Sequence, residues 1–258
     1  MLIGAAVKDG KIKSVEQEVE DFLPEYKESG LKIKHLLEMS SGINFKEQYI
    51  NPYGYTAKAL YGTNLKSLNN KYRVNNTPGK YFIYLSGNSQ VLTFLLEKAT
   101  GKKVSVYASE KLWKKLGAEQ PAYWSLDKPN GDEKGFCCLH SNARDFAKLG
   151  QLMLNKGVWN GDTIIPYDYF KATITPANTL QLDGKPNDLY GYQWWVIKYK
   201  GLNIFYARGI DGQYIIDIPS KDLVIVRLGR KRNENKINGH PQDFYIYADI
   251  ALKLLKNN

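Results

Sequence analysis

Four short runs near the C-terminus constrain the fold more than any other feature of the chain. Tyr190 to Ile197, Asn203 to Ala207, Gln213 to Ile218 and Leu223 to Leu228 are rich in β-branched and aromatic residues and read as strands. Only Lys200-Gly201, Gly209 to Gly212 and Pro219-Ser220-Lys221-Asp222 separate them. Connections this short join antiparallel neighbours, because a parallel return needs a much longer crossover. The runs therefore predict a meander, and Phe244 to Leu255 reads as an amphipathic helix that covers it. Upstream the period changes. Residues 1 to 9, about 15 to 23, Leu31 to Ser40, Gln90 to Thr100, about Val104 to Leu116 and Ser141 to Asn155 read as helices, the last with Ser141 as N-cap. The class that follows is α+β: an antiparallel β-sheet flanked by helices, with a mostly helical second lobe. With 258 residues, 43% of them hydrophobic, and no Ser/Pro/Gly-rich linker, the chain reads as one domain. Its helical lobe spans about 31–155, its sheet lobe about 156–258 plus 1–25, and a cleft lies between them.

The formal charge of +10 raises the question of an anionic partner. Lysines are spread along the whole chain, with denser spots only at Lys102-Lys103, Lys114-Lys115 and Arg230-Lys231-Arg232, and no nucleic-acid-binding motif accompanies them. No nucleic-acid partner is expected. No stretch reaches transmembrane length, so no integral membrane segment is expected either. The two cysteines, Cys137 and Cys138, are adjacent. Neighbouring cysteines rarely bridge, and two thiols without further ligands do not make a zinc site, so both read as small buried hydrophobes. No cofactor or metal is implied, and the redox compartment is not legible.

The chemistry-bearing stretch is Pro78-Gly79-Lys80-Tyr81-Phe82-Ile83-Tyr84-Leu85-Ser86-Gly87-Asn88. A turn leads into an extended aromatic run and then into a helix start, so Tyr84 and Ser86 stand beside unpaired N–H groups and a partial positive charge. That placement suits proton handling. The structural alternative is a core tyrosine followed by a helix cap. Asn44 to Asn76, polar and carrying Tyr49, Tyr53, Tyr55 and Tyr61, reads as a long loop at the cleft rim or as a surface cover. His140, just before the Ser141 cap, reads either as a structural hydrogen-bond partner or as a cleft group touching substrate.

The Tyr84-Leu85-Ser86 element resembles the Tyr-x-Asn/Tyr-x-Ser motif of the serine β-lactamase-like superfamily, which includes class C β-lactamases, penicillin-binding-protein-like carboxypeptidases, esterases and 6-aminohexanoate-dimer hydrolases. Other segments are similar in family order: Phe22-Leu23-Pro24, Leu31 to Gly42, Gly135 to Gly150, Tyr190 to Trp195, and Ala207-Arg208-Gly209-Ile210-Asp211-Gly212-Gln213. The resemblance implies hydrolysis of a small-molecule amide or ester through an acyl-serine intermediate. Tyr84 would pass the proton, Ser86 would support a lysine, and the Ile210 N–H would donate to the oxyanion. His140, Trp194, Gly209 and Gln213 would contact substrate. The family's Lys-Thr-Gly triplet falls on Ala207-Arg208-Gly209, whose first position lacks the cation, as in esterases and dimer hydrolases rather than penicillin-specialised enzymes.

The family's Ser-x-x-Lys helix start has no counterpart in register. Met1 to Ile12 resembles the later turns of that helix, which would place the lysine about four and the serine about seven residues before Met1. The literal matches Ser29 to Lys32 and Ser125 to Lys128 sit at a Gly break and at a turn signal and read as chance. The expectation is an N-terminally incomplete hydrolase, inactive as given, with a homo-oligomer as one outcome of the uncovered surfaces. A periplasmic or secreted location is compatible with a signal lost upstream. The alternatives are a binding protein that keeps the cleft without the nucleophile, and a bare structural domain.

Overall fold

The computed structural model describes residues 1–255. Its helices are α1 (Leu2–Lys8), α2 (Ile33–Leu37), α3 (Tyr55–Tyr61), α4 (Leu65–Asn69), α5 (Ser86–Thr100), α6 (Val104–Ala108), α7 (Ala143–Leu154), α8 (Tyr167–Thr173) and α9 (Gln242–Leu254). A π-turn at Ser109–Trp113 prolongs α6. Two short clips pin the connecting loops, β1 (Tyr123–Trp124) with β2 (Leu139–His140) and β3 (Val158–Trp159) with β4 (Asp162–Thr163). The main sheet is the expected meander: β5 (Trp195–Tyr199), β6 (Leu202–Arg208), β7 (Tyr214–Ile218) and β8 (Leu223–Arg227), antiparallel and in chain order. A last clip, β9 (Lys236–Ile237) with β10 (His240–Pro241), leads into α9.

Alternation along the sheet creates two cores. On one face Val196, Phe205, Ala207 and Ile215 join the large cluster built around α1 and α5. On the other, Trp195, Ile204, Tyr206, Tyr214 and Ile216 pack with Phe244 of α9 and with Met39 and Tyr190. Helix α5 is buried nearly all round from Gln90 to Leu96 and ends at Gly101, whose φ of 68° and N–H bond to the Glu97 carbonyl close it in a left-handed cap.

Several expectations change. Residues 15 to 23 form no α-helix: Val19 N–H donates to the Leu31 carbonyl at 2.7 Å and Glu18 bridges Lys32, so long-range pairing overrides the helix-spaced apolar residues. The α7 cap is Asn142, whose side chain accepts from Asp145 N–H, and not Ser141. Helix α7, expected with the helical lobe, packs on β7 and β8, while α1, expected with the sheet, packs on α5. Cys137 and Cys138 are bridged to each other, which a left-handed Cys138 with φ of 66° accommodates. The last positions of the expected sheet lobe, 256–258, lie outside the described residues. No helix among the described residues is long and apolar enough to cross a membrane.

Candidate active site

The segment before α5 is held along the chain that follows α2. Gly79 N–H donates to the Ser40 carbonyl and Ile83 N–H to the Met39 carbonyl, both at 2.8 Å, while Phe82 N–H reaches the Leu180 carbonyl. Ser41 Oγ donates to Asn88 Oδ1 at 2.6 Å and ties the same chain to the first turn of α5. These bonds fix the direction of Tyr84. Its ring stacks on Trp195 at 5.6 Å between centroids and meets Tyr190 edge-on at 6.0 Å. Burial raises the Tyr84 phenol above its ordinary range, and the Glu47 carboxylate reinforces that shift while the Arg208 guanidinium opposes it. The group is therefore a neutral phenol at pH 7, able to give a proton, and a nearby cation is needed to stabilise the phenolate left behind.

Ser86 opens α5, and its partner is a residue that sequence reasoning missed. Ser86 Oγ donates to Glu47 Oε1 and Ser86 N–H to Glu47 Oε2, each at 2.7 Å, and Tyr49 Oη donates to Glu47 Oε1 at 2.6 Å. Glu47 and Tyr49 both come from the tyrosine-rich loop, which is thereby fastened to the mouth of the site. A carboxylate at a helix N-terminus is favoured by the exposed N–H groups there. Nothing in the polar loop sequence marks Glu47 as the residue that would make this contact.

Trp195 connects the tyrosine to the β6–β7 turn. The Arg208 guanidinium lies 3.6 Å above the centroid of the Trp195 ring, and its Nη1 is buried without a partner. Beyond Arg208, Gly209 N–H donates to the Gln213 carbonyl at 2.8 Å, Gly212 N–H to the Gly209 carbonyl, and Asp211 N–H to Gln213 Oε1. The turn leaves the Ile210 backbone amide free among the described residues, on a residue that is 43% exposed. A Cβ on Gly209 would displace the Gln213 side chain, so the glycine lets that side chain lie across the turn. Gln213 serves the turn itself, since its Nε2 donates to the Gly229 carbonyl at 2.6 Å.

One expected substrate contact, Trp194, is turned into the core. Trp194 is 4% exposed and packs against Phe205 in the large core. The alternation of the strand that begins beside it sends Trp195, not Trp194, to Tyr84. His140 is exposed and meets Ser125 Oγ at 3.3 Å, within the clip that pairs it with Tyr123. Of the literal Ser-x-x-Lys matches, Ser29 Oγ bonds the Tyr26 carbonyl in a loop and Ser125 sits beside that clip, so neither opens a helix. Among the described residues no group of His, Cys, Asp and Glu could hold a metal ion.

This geometry has relatives. The chain is 25% identical to the 6-aminohexanoate-dimer hydrolase of Paenarthrobacter ureafaciens over 98% of its own length and 69% of that protein's. Its fold is similar to the penicillin binding protein of Bacillus halodurans, with a TM-score of 0.71, 17% identity, and coverage of 97% of this chain and 80% of that one. It is also similar to a family VIII carboxylesterase, with a TM-score of 0.68, 15% identity, and coverage of 91% and 75%. Residues 1–243 match the family model described as Beta-lactamase, and the chain belongs to that family of hydrolases.

Proposed function

We propose that this chain carries the acid–base and oxyanion sides of an amide or ester hydrolase that works through an acyl-serine intermediate. In this reading Tyr84 relays the proton, Ser86 supports a lysine, and the Ile210 N–H donates to the oxyanion. Among the described residues neither literal Ser-x-x-Lys match opens a helix, so the reading assigns no nucleophilic serine or lysine. The observation that carries the reading is the Tyr84–Trp195–Arg208 stack, which joins a partly buried phenol to the turn holding the free Ile210 amide. Arg208 supplies a cation beside Tyr84 although Ala207 does not, so the phenolate left when Tyr84 gives its proton is electrostatically stabilised. The dimer hydrolase relative and the carboxylesterase fold neighbour support amide or ester substrates. Without the serine, a binding protein that keeps the cleft is the second reading; it is favoured by the placement of both literal Ser-x-x-Lys matches outside helices.

The test places a Ser-x-x-Lys helix start before Met1-Leu2-Ile3, in register with α1. Hydrolysis of a short p-nitrophenyl ester should appear, and Tyr84→Phe should lower kcat by about 10²–10⁴-fold, the usual contribution of a positioned acid–base group. An active protein indifferent to Tyr84→Phe would remove Tyr84 from the mechanism. An inactive one, with the chain still folded, would favour the binding reading.

A further inference from the structure

Glu47 is a partly buried carboxylate that makes no ion pair within 4 Å among the described residues. Both of its oxygens face the start of α5 instead: Oε2 takes the Ser86 amide, and Oε1 takes the Ser86 hydroxyl and the Tyr49 phenol. A serine hydroxyl has one proton and two lone pairs. An ionised carboxylate can only accept, so a Ser86 bonded to Glu47 has given up its proton and presents only lone pairs to any other neighbour. Without Glu47 the hydroxyl rotor would be free to donate or accept, and a cationic donor beside Tyr84 would meet a group of undefined polarity.

We infer that Glu47 is a positioning residue for the Tyr84–Ser86 site, holding the Ser86 hydroxyl as an obligate acceptor for an ammonium donor and anchoring the 44–54 loop as one wall of the cleft. This rests on the hydrolase reading above, in which that donor is the lysine paired with the nucleophile. Glu47 reaches Ser86 and Tyr49, and its effect on substrate runs through Ser86. Tyr49, 52% exposed, is the part of the wall that substrate meets, and its hydroxyl is aimed by the same carboxylate. The loop is thus built from its base upward: a carboxylate fixed by two bonds to one helix terminus, then an aromatic ring set on that carboxylate.

The chain as it stands tests the anchor, and the protein supplied with the serine and lysine tests the role. Glu47→Ala should raise hydrogen exchange at the Ser86 amide at least tenfold and open the 46–54 segment to limited proteolysis; wild-type protection would overturn the anchor. Glu47→Gln keeps the shape, but its amide nitrogen can donate to Ser86 Oγ and turn the hydroxyl proton toward the site. Its Ser86 amide should stay protected while kcat on a p-nitrophenyl ester falls about tenfold or more, with KM within about twofold, as expected for lost alignment of reacting groups. An unchanged kcat would make Glu47 a helix cap alone, and a raised KM at constant kcat would make it a substrate contact; either result overturns the inference. If the protein with native Glu47 shows no hydrolysis, the functional reading fails first and this inference with it.

Discussion

Asp217 offers the sharpest quantitative test of the fold. It sits on β7 between Phe205 of β6 and Val224 of β8, is 0% exposed, and neither carboxyl oxygen has a hydrogen-bond partner. Burial alone raises its pKa from 3.8 to about 8. The folded pKa is above the unfolded one, so the contribution to stability is fully present below about pH 4 and is lost as pH rises toward 8. Each unit of that interval corresponds to about 1.4 kcal/mol, so the cost at pH 7 reaches about 4 kcal/mol. His35 and His240 are held near 4 by burial, so they act in the opposite direction below 6.5. The clean window is therefore pH 6.5 to 8. There Glu38, raised to about 7 by burial, and the Met1 amine, lowered to about 6 by burial, titrate alike in both proteins and cancel. Asp217→Asn removes the titration, although its buried amide still lacks partners at a cost of about 1–3 kcal/mol, similar to that of the neutral carboxyl it replaces. Urea unfolding at half-unit steps of pH should show the native chain losing about 2 kcal/mol more than Asp217→Asn across this window. Parallel stability curves would refute the argument and require a hidden partner for the carboxyl.

Two further substitutions probe the same sheet. Gly150→Ala would put a Cβ 2.6 Å from Val224 Cγ1 and 2.7 Å from Asp217 Oδ1, so overpacking should cost about 1–3 kcal/mol in denaturant unfolding, and a neutral result would mean that α7 sits farther from the sheet. Tyr206→Phe removes the 2.7 Å bond between Tyr206 Oη and His240 Nδ1 in the second core; leaving that nitrogen unpaired should cost about 1–3 kcal/mol, and an unchanged thermal midpoint would show that the pair contributes nothing.

The fold was legible where local chemistry decides backbone conformation. Lys200-Gly201, Gly212 and Asp222 all have positive φ, and those turns delimit the four strands that the sequence predicts. It was illegible where distant partners decide. Val15 to Leu23 has helical spacing but is claimed by Leu31 and Lys32. At the site, Tyr84 and Ser86 could be singled out because a turn, an aromatic run and a helix start mark them. Glu47 could not, because its contact spans 39 positions from a loop with no periodicity. The choice between Trp194 and Trp195 depends on which sheet face receives α9, and a run of two tryptophans carries no such information.

The Cys137–Cys138 bridge acts on the chain in an unusual way. A cross-link stabilises a fold chiefly by shrinking the ensemble of the unfolded chain, and the gain grows with the length of the loop it closes. Here the linked residues are one apart, so almost no chain entropy is at stake. Its influence is confined to the turn between β1 and β2, where the Cys137 carbonyl accepts from Trp124 Nε1 and the Cys138 carbonyl accepts from Ser125 N–H. Breaking it should give the turn back some torsional freedom while leaving global unfolding almost unmoved. In that respect the pair behaves less like a staple than like a proline, a covalent restriction on one stretch of backbone that thiol chemistry can add or remove.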